Sequence, residues 1–305
     1  MIKRSITFVS LALALSTMCQ AQSRKVIHLP SWDFSRDGKV WSQVAVPHDW
    51  AIAGPFDKKW DLQMVAIEQN GEKEKTEKSG RSGALPWIGE GMYKMNLQLP
   101  KGYKRAVLVF DGAMSQPVVS VNGKEAGRWA YGYNAFRIDI TPYVKFGGKK
   151  NLVEVHLNNV EESSRWYPGG GLYRPVSVEL YGNENFSTWD TFVRTLKADK
   201  QEAEVEVNAL LEGKIGKSGK TVIALLDEAG TKVAEQTISG ATPQIKTTLK
   251  VANPQLWSPE SPYLYQVKLT RYEGKKVADV QTLKTGIRTI SVSKNNGFQL
   301  NGITR

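Results

Sequence analysis

The sequence predicts an all-β protein: a β-sandwich or jelly roll followed by an immunoglobulin-like β-sandwich. Three observations carry that expectation. Segments such as NLQLP, AVLVF, PVVSVNG, FRIDI, LVEVHL and PVSVEL alternate apolar and polar residues with the period of two that a half-buried strand requires. Gly, Pro and Asn punctuate them at short intervals, as in sandwiches, and no stretch shows a convincing amphipathic helical period. After Tyr181 the texture changes and a second series of strands begins, about seven in roughly 100 residues, the size of an immunoglobulin-like sandwich.

In chain order, residues 1–21 read as a secretory signal peptide. Lys3 and Arg4 form a basic start, Ile6 to Leu15 an apolar core, and Cys19-Gln20-Ala21 a small-residue end with cleavage after Ala21. Met18 before Cys19 is bulkier than a lipoprotein signal tolerates, so export with removal of the leader is expected, to the periplasm or the exterior, rather than lipid anchoring. The first strand series runs from there to about Tyr181. In LVEVHL, Val153, Val155 and Leu157 share one face while Glu154 and His156 point the other way, and Asn122-Gly123 is a hairpin turn. Residues 185–288 form the second sandwich, where β-branched Thr221, Val222 and Ile223 favour strand over helix in KTVIALLDEAG. Residues 289–305 are too few to bury a core; they end in GFQLNGITR, whose Asn301-Gly302 is a strong hairpin signal with only three residues after it.

Composition narrows the function classes. The chain has 305 residues and a formal charge of +11, but the charges are scattered. The densest run, Glu68 to Arg81, holds four acidic and four basic residues, the pattern of a solvated loop rather than a phosphate-binding stripe, so no nucleic-acid partner is expected. Cys19 is the only cysteine, which leaves the mature chain without disulfides and dependent on its core. No later segment is apolar enough to span a membrane as a helix.

The motifs of common chemistries are missing. The three histidines, His28, His48 and His156, lie far apart, and without cysteines a structural zinc site is not expected; no cofactor is expected either. The GGG at 169–171 precedes a strand-like stretch rather than a helix, so it is not a phosphate loop. The most loaded segment is SSRWYPGGGLYRPVSVEL, where Arg165, Trp166 and Tyr167 stand together. Aromatic faces stack on sugar C–H faces and guanidinium donors satisfy hydroxyls, so these three are candidate sugar-binding residues; the alternative is that they plug one end of a sandwich. Asp49 in VPHDW and Trp87 in ALPWIGEGMYKM join them as candidates at a site rim. His48-Asp49 reads either as an acid–base pair or as a hydrogen-bonded loop lock. Asn183-Glu184 reads as a turn dipeptide, and no catalytic residue is assigned.

Seven stretches occur in order: VPHDW; GMYKMNLQLP; LVFDGAMSQPVVSVNGKEAGRWAYGYNAFRIDITPYV; NLVEVHLNN; SRWYPGGGLYRPVSVEL; LWSPESPYLYQVKL; and GIRTISVSKNNGFQLNG. Together they resemble glycoside hydrolase family 2, the family of β-galactosidases, β-glucuronidases and β-mannosidases, from about Val26 to Arg305. The resemblance implies a jelly-roll sugar-binding domain over residues 22–184, an immunoglobulin-like sandwich over 185–288 and then, from 289, the start of a catalytic TIM barrel that carries both glutamates. On that layout GFQLNG is the hairpin leading into the barrel, and about 250 further residues would be needed to build it. The resemblance therefore implies the accessory portion of a β-galactosidase-like retaining glycosidase, whose carbohydrate substrate is bound through the intact enzyme and which is inactive in isolation. It also implies that a jelly-roll loop just before GGGLYRP helps to bind the sugar. Ser163, Ser164 and Arg165 stand where some relatives carry an acidic residue, so no carboxylate role passes to Glu161 or Glu162. The alternative from another class is a stand-alone carbohydrate-binding or adhesion protein of two sandwiches.

Overall fold

The computed structural model describes residues 24–57, 65–66, 75–76, 87–159 and 169–305. Among these residues strands dominate, and the one helical turn is a 3-10 turn at Thr141–Tyr143. The chain is all-β, two sandwiches in series, as the alternation predicts.

The first sandwich packs a six-stranded sheet against a four-stranded one. The six-stranded sheet runs in the order 42–45, 31–35, 90–98, 150–158, 118–121, 124–128, and the four-stranded sheet in the order 25–28, 176–181, 105–110, 136–139. All of these pairs are antiparallel. The central pair, Lys150–Asn158 against Glu90–Gln98, is in register from Lys150 opposite Gln98 to Asn158 opposite Glu90. Because side chains alternate, that register sends Val153, Val155 and Leu157 inward together, and all three are buried beside Val119 and Val121. Leu108, Phe110, Val178 and Leu180 close the core from the other sheet.

Asn122-Gly123 forms the predicted hairpin, with φ of 53° and 76° at the two turn residues. Asn122 also ties the turn down. Its Nδ2 donates to Tyr143 O at 2.8 Å and to Asn151 Oδ1 at 3.0 Å, and its Oδ1 accepts Leu152 N–H at 3.0 Å. Asn151 is fully buried, and it too is satisfied by Lys145 N and O at 2.7 and 2.9 Å.

The second sandwich has its own core, from Phe186 to Ile287. One sheet joins 192–198, 202–213 and 244–252, with Glu184–Phe186 pairing the far end of 202–213; the other runs 232–239, 220–226, 265–273, 276–285. The KTVIALLDEAG stretch is strand over Lys220–Leu226. The last residues make a small three-stranded sheet, Ile290–Ser293, Gly297–Leu300 and Ile303–Thr304, and the turn at Asn301-Gly302 closes on that two-residue strand. Asn301 Nδ2 donates to Trp257 O at 3.0 Å, which fastens this sheet to the sandwich.

Asn183-Glu184 differs from the expectation of a turn dipeptide. Glu184 opens a strand and is fully buried. Its carboxylate accepts from Arg271 Nε at 2.5 Å and from Gly216 N at 3.0 Å. Arg271, also buried, spends its other donors on Gly240 O at 3.2 Å and Gly216 O at 3.4 Å. Each charge is thus removed from water and compensated, and Gly219 is required there because a Cβ would meet Arg271 Nη2 at 2.1 Å. Sequence pattern alone could not show this, since the partners are 87 residues apart.

Two arginines of the first sandwich reach the second. Arg24 Nη2 donates to Phe186 O at 3.0 Å and faces Asp279 at 3.6 Å, while Arg105 joins Asp139 at 2.8 Å to Glu212.

Two outcomes follow. Arg271→Met strands Glu184 as an uncompensated buried charge and should destabilise by about 3–5 kcal/mol, whereas the double change with Glu184→Leu should recover most of the loss; denaturant unfolding of the three chains measures both. Glu206 sits opposite Arg194 (2.7 Å), near Lys246 (3.2 Å), and accepts from Asn208 at 2.9 Å. The Asn208 hydrogen bond and the two cations push its pKa down from 4.5 to about 2. A depressed carboxyl pKa stabilises fully above the unfolded value and loses that contribution as pH falls through the folded one. The stability gap between the native chain and Glu206→Gln should therefore be constant above about pH 4.5 and close towards pH 2; thermal melts across that range test it.

Candidate functional site

Three connections of the first sandwich meet at one end, around Trp50. The indole is fully buried between two glycines. A Cβ at Gly91 would lie 2.2 Å from its Cζ3, and one at Gly170 would lie 2.4 Å from its Nε1. Only hydrogen-sized side chains let strand 90–98 and the 169–171 glycines approach the ring from both sides. Phe34 and Tyr93 stack beside it at 5.6 and 6.4 Å, and Trp87 tilts against it at 5.5 Å.

The polar groups around Trp50 lace the same connections together. Trp50 N donates to Gly170 O at 3.1 Å and His48 N to Leu172 O at 2.8 Å. Asp49 Oδ1 accepts the N–H of Ala51 at 3.0 Å and of Gly170 at 3.1 Å, so this carboxylate oxygen bridges the PHDW loop and the glycine run. Of the two readings of His48-Asp49, that geometry is the lock. His48 pairs instead with Tyr93, Nδ1 to Oη at 2.7 Å. Burial holds the imidazole below its ordinary pKa, with Arg36 adding to the effect and Asp49 opposing it. Burial likewise raises the Tyr93 phenol, which keeps its proton.

Asn159 completes the seat. It is buried, its N–H donates to Gly89 O at 3.0 Å and its Nδ2 to Gly169 O at 2.9 Å. The residues that bracket positions 160–168 are therefore held together, and beside them stands the residue that follows Trp87-Ile88. Of the five residues singled out from the sequence, Asp49 and Trp87 are brought to this rim; Arg165, Trp166 and Tyr167 lie outside the described residues, as do the leader and most of the mixed-charge run.

A cleft of about 520 Å³ opens beside the seat, lined among others by Phe34, Arg36, Asp37, His48 and Trp50. Its cation is committed. Arg36 Nη2 donates to Gly54 O and, at 3.5 Å, to Trp50 O, while its guanidinium lies 4.8 Å over the Trp87 ring. Burial lowers its pKa. Arg36, Tyr93 and Asn159 were not among the residues singled out; Tyr93 stands in the same stretch as Trp87 and Asn159 ends NLVEVHLNN, but nothing local in the sequence shows that they meet. Among the described residues no three His, Cys, Asp or Glu side chains come together as a metal site would need.

The double-glycine seat sets an expected outcome. Gly91→Ala and Gly170→Ala should each cost about 1–3 kcal/mol by overpacking against Trp50. Paired with Trp50→Leu, either alanine should become far less harmful than it is alone; melting temperatures of the five variants measure the coupling.

Comparison with known proteins reaches the same stretches. Residues 187–288 match the family described as Glycosyl hydrolases family 2. The chain is 34% identical over 276 residues to a Formosa agariphila protein named "Putative beta-glucuronidase", covering 88% of this chain and 25% of that protein. It is 32% identical over 272 residues to beta-galactosidase BoGH2A of Bacteroides ovatus, covering 86% and 30%. Among solved structures, a glycosyl hydrolase family 2 member from Bacteroides cellulosilyticus superposes with a TM-score of 0.75 at 30% identity, over 92% of this chain and 37% of that one. The chain thus spans between a quarter and a third of the length of these curated relatives. The family model, these relatives and the superposed structure agree, and the chain belongs to glycosyl hydrolase family 2.

Proposed function

We propose that this chain supplies the accessory, non-catalytic portion of an exported retaining glycosidase, and that the whole enzyme is a β-galactosidase. The jelly roll (22–184) and the immunoglobulin-like sandwich (185–288) hold the shape, residues 289–305 lead towards a catalytic barrel, and the Trp50 rim forms one wall of the sugar pocket. The whole enzyme would use two barrel carboxylates, one attacking the anomeric carbon and the other protonating the leaving oxygen and then activating water.

The observation that carries the reading is the convergence on Asn159. Asp49 and Trp87, the two described sugar-binding candidates, share one end of the sandwich with Asn159 and Gly169. The β-galactosidase reading is supported by beta-galactosidase BoGH2A among the relatives, at 32% identity. Glu184 is fully buried in its ion pair and so meets no substrate.

The 305-residue chain alone should leave 4-nitrophenyl β-galactoside intact; turnover that survives Glu184→Gln would overturn the reading. The barrel itself is tested in the DNA beyond the Arg305 codon, which should continue in frame through about 250 residues of alternating strands and helices. The product of that longer frame should hydrolyse the β-galactoside in preference to the β-glucuronide, with Trp87→Ala raising KM more than it lowers kcat. Export has its own check: N-terminal sequencing of the secreted protein should begin at Gln22.

A further inference from the structure

Beyond Met114 and Tyr173, which tie it to the 169–171 glycines, an aromatic plate stands at the edge of the six-stranded sheet. Three rings pile up from the core outward. Phe110 stacks on Phe136 at 4.7 Å and 5°, and Phe136 stacks on Trp129 at 5.7 Å and 7°. Phe110 and Phe136 are buried, whereas Trp129 is 39% exposed. One indole face is thus spent on Phe136 and leaves the other to solvent. The indole N–H donates to Asn134 Oδ1 at 2.8 Å, and Trp129 N donates to Pro117 O at 3.0 Å, so the plate is held rather than swinging free. Tyr131 and Tyr133, 59% and 42% exposed, follow on the same loop with their rings 5.6 Å apart. That loop is anchored from behind by Tyr173 Oη, which donates to Gly132 O at 2.8 Å.

Trp129 and Tyr131 line an open cleft of about 510 Å³ together with Gln116, Val118, Arg128 and Ala130. The charges at its edge cancel. Arg128 Nε and Nη2 each donate to Glu125 at 2.9 Å, a two-pronged pair on the last strand of the sheet. The cleft therefore offers a flat apolar plate, an uncharged amide at Gln116, and remaining guanidinium donors, but no net charge. An anionic or cationic ligand gains nothing from such a site. A neutral ligand with one apolar face and a rim of hydroxyls fits it, because the face stacks on the indole while the hydroxyls reach amide and guanidinium donors. β-Linked pyranosides are that class: the equatorial bond at C1 leaves axial C–H bonds at C1, C3 and C5 on one face, which can lie on a flat ring, whereas an α-linkage puts an axial oxygen there.

We propose that Trp129, with Tyr131, Gln116 and Arg128, forms a binding site for β-linked oligosaccharides that works without hydrolysis. Its lining residues are distinct from those of the cleft beside Trp50, and it stands whether or not the chain proves to be part of a galactosidase. The site would hold a length of glycan against the jelly roll.

Isothermal titration of the 305-residue chain with β-1,4-galactotetraose and cellotetraose tests it, with maltotetraose as the α-linked control. Binding of at least one β-linked probe is expected, with little for maltotetraose, and Trp129→Ala should weaken it about tenfold or more. Trp189→Ala, which removes a 69% exposed tryptophan of the second sandwich, should leave it unchanged. Should Trp129→Ala fail to fold, Tyr131→Ala and Gln116→Ala probe the same cleft without touching the ring stack, and each should weaken binding. No binding of either β-linked probe at millimolar concentration would overturn the proposal. So would equal binding of maltotetraose, binding indifferent to the cleft variants, or a dimer that forms through Trp129 in place of glycan binding.

Discussion

Trp50 between Gly91 and Gly170 is the contact on which the working end of the first sandwich depends. The ring fills a space that two backbones leave open only because neither has a side chain there. Once it is in place, Phe34, Tyr93 and Trp87 pack around it, and the backbone of the PHDW loop lies close enough to exchange hydrogen bonds with the glycine run. Asp49 then caps two N–H groups that would otherwise be left unsatisfied beside a buried indole. Removing the ring would leave a large void, and enlarging either glycine would leave no room for it; packing of this density tolerates neither change well.

Charge is used differently in the two sandwiches. At the Trp50 rim the polar groups are neutral or committed: His48 is held below its usual pKa by burial, Tyr93 keeps its proton, and Arg36 is occupied by carbonyls. In the second sandwich a complete ion pair, Glu184–Arg271, is buried under the first strand, and Arg24 and Arg105 reach across to backbone and carboxylate partners. Buried pairs add little net stability over an apolar pair of the same size, but they penalise any arrangement that separates them. The Glu184–Arg271 pair therefore fixes how the strand following the first sandwich enters the second.

Much of the fold was legible in the alternation of single strands. LVEVHL, PVSVEL and KTVIALL each declare their buried face, and Asn122-Gly123 declares its turn, because strand period and left-handed turn geometry are properties of a few adjacent residues. Asn183-Glu184 was misread for the converse reason. Its polar composition suggests a turn, and only a guanidinium 87 residues away makes a buried strand position acceptable to the carboxylate. The candidate site was legible in part: Asp49 and Trp87 stood out as residue types, but Arg36, Tyr93 and Asn159 are ordinary residues of ordinary strands and connections.

The sequence by itself determined the all-β class, the two-sandwich order and the family, since these rest on local periodicity and on motifs that keep their order along the chain. Tertiary structure alone decided which of those motifs meet. Asn159 joins Gly89 to Gly169, Trp50 lies under both Gly91 and Gly170, and Phe110, Phe136 and Trp129 line up as one stack. Such meetings depend on sheet order and register, which are set by the packing of the whole sandwich, so no short stretch of sequence contains them.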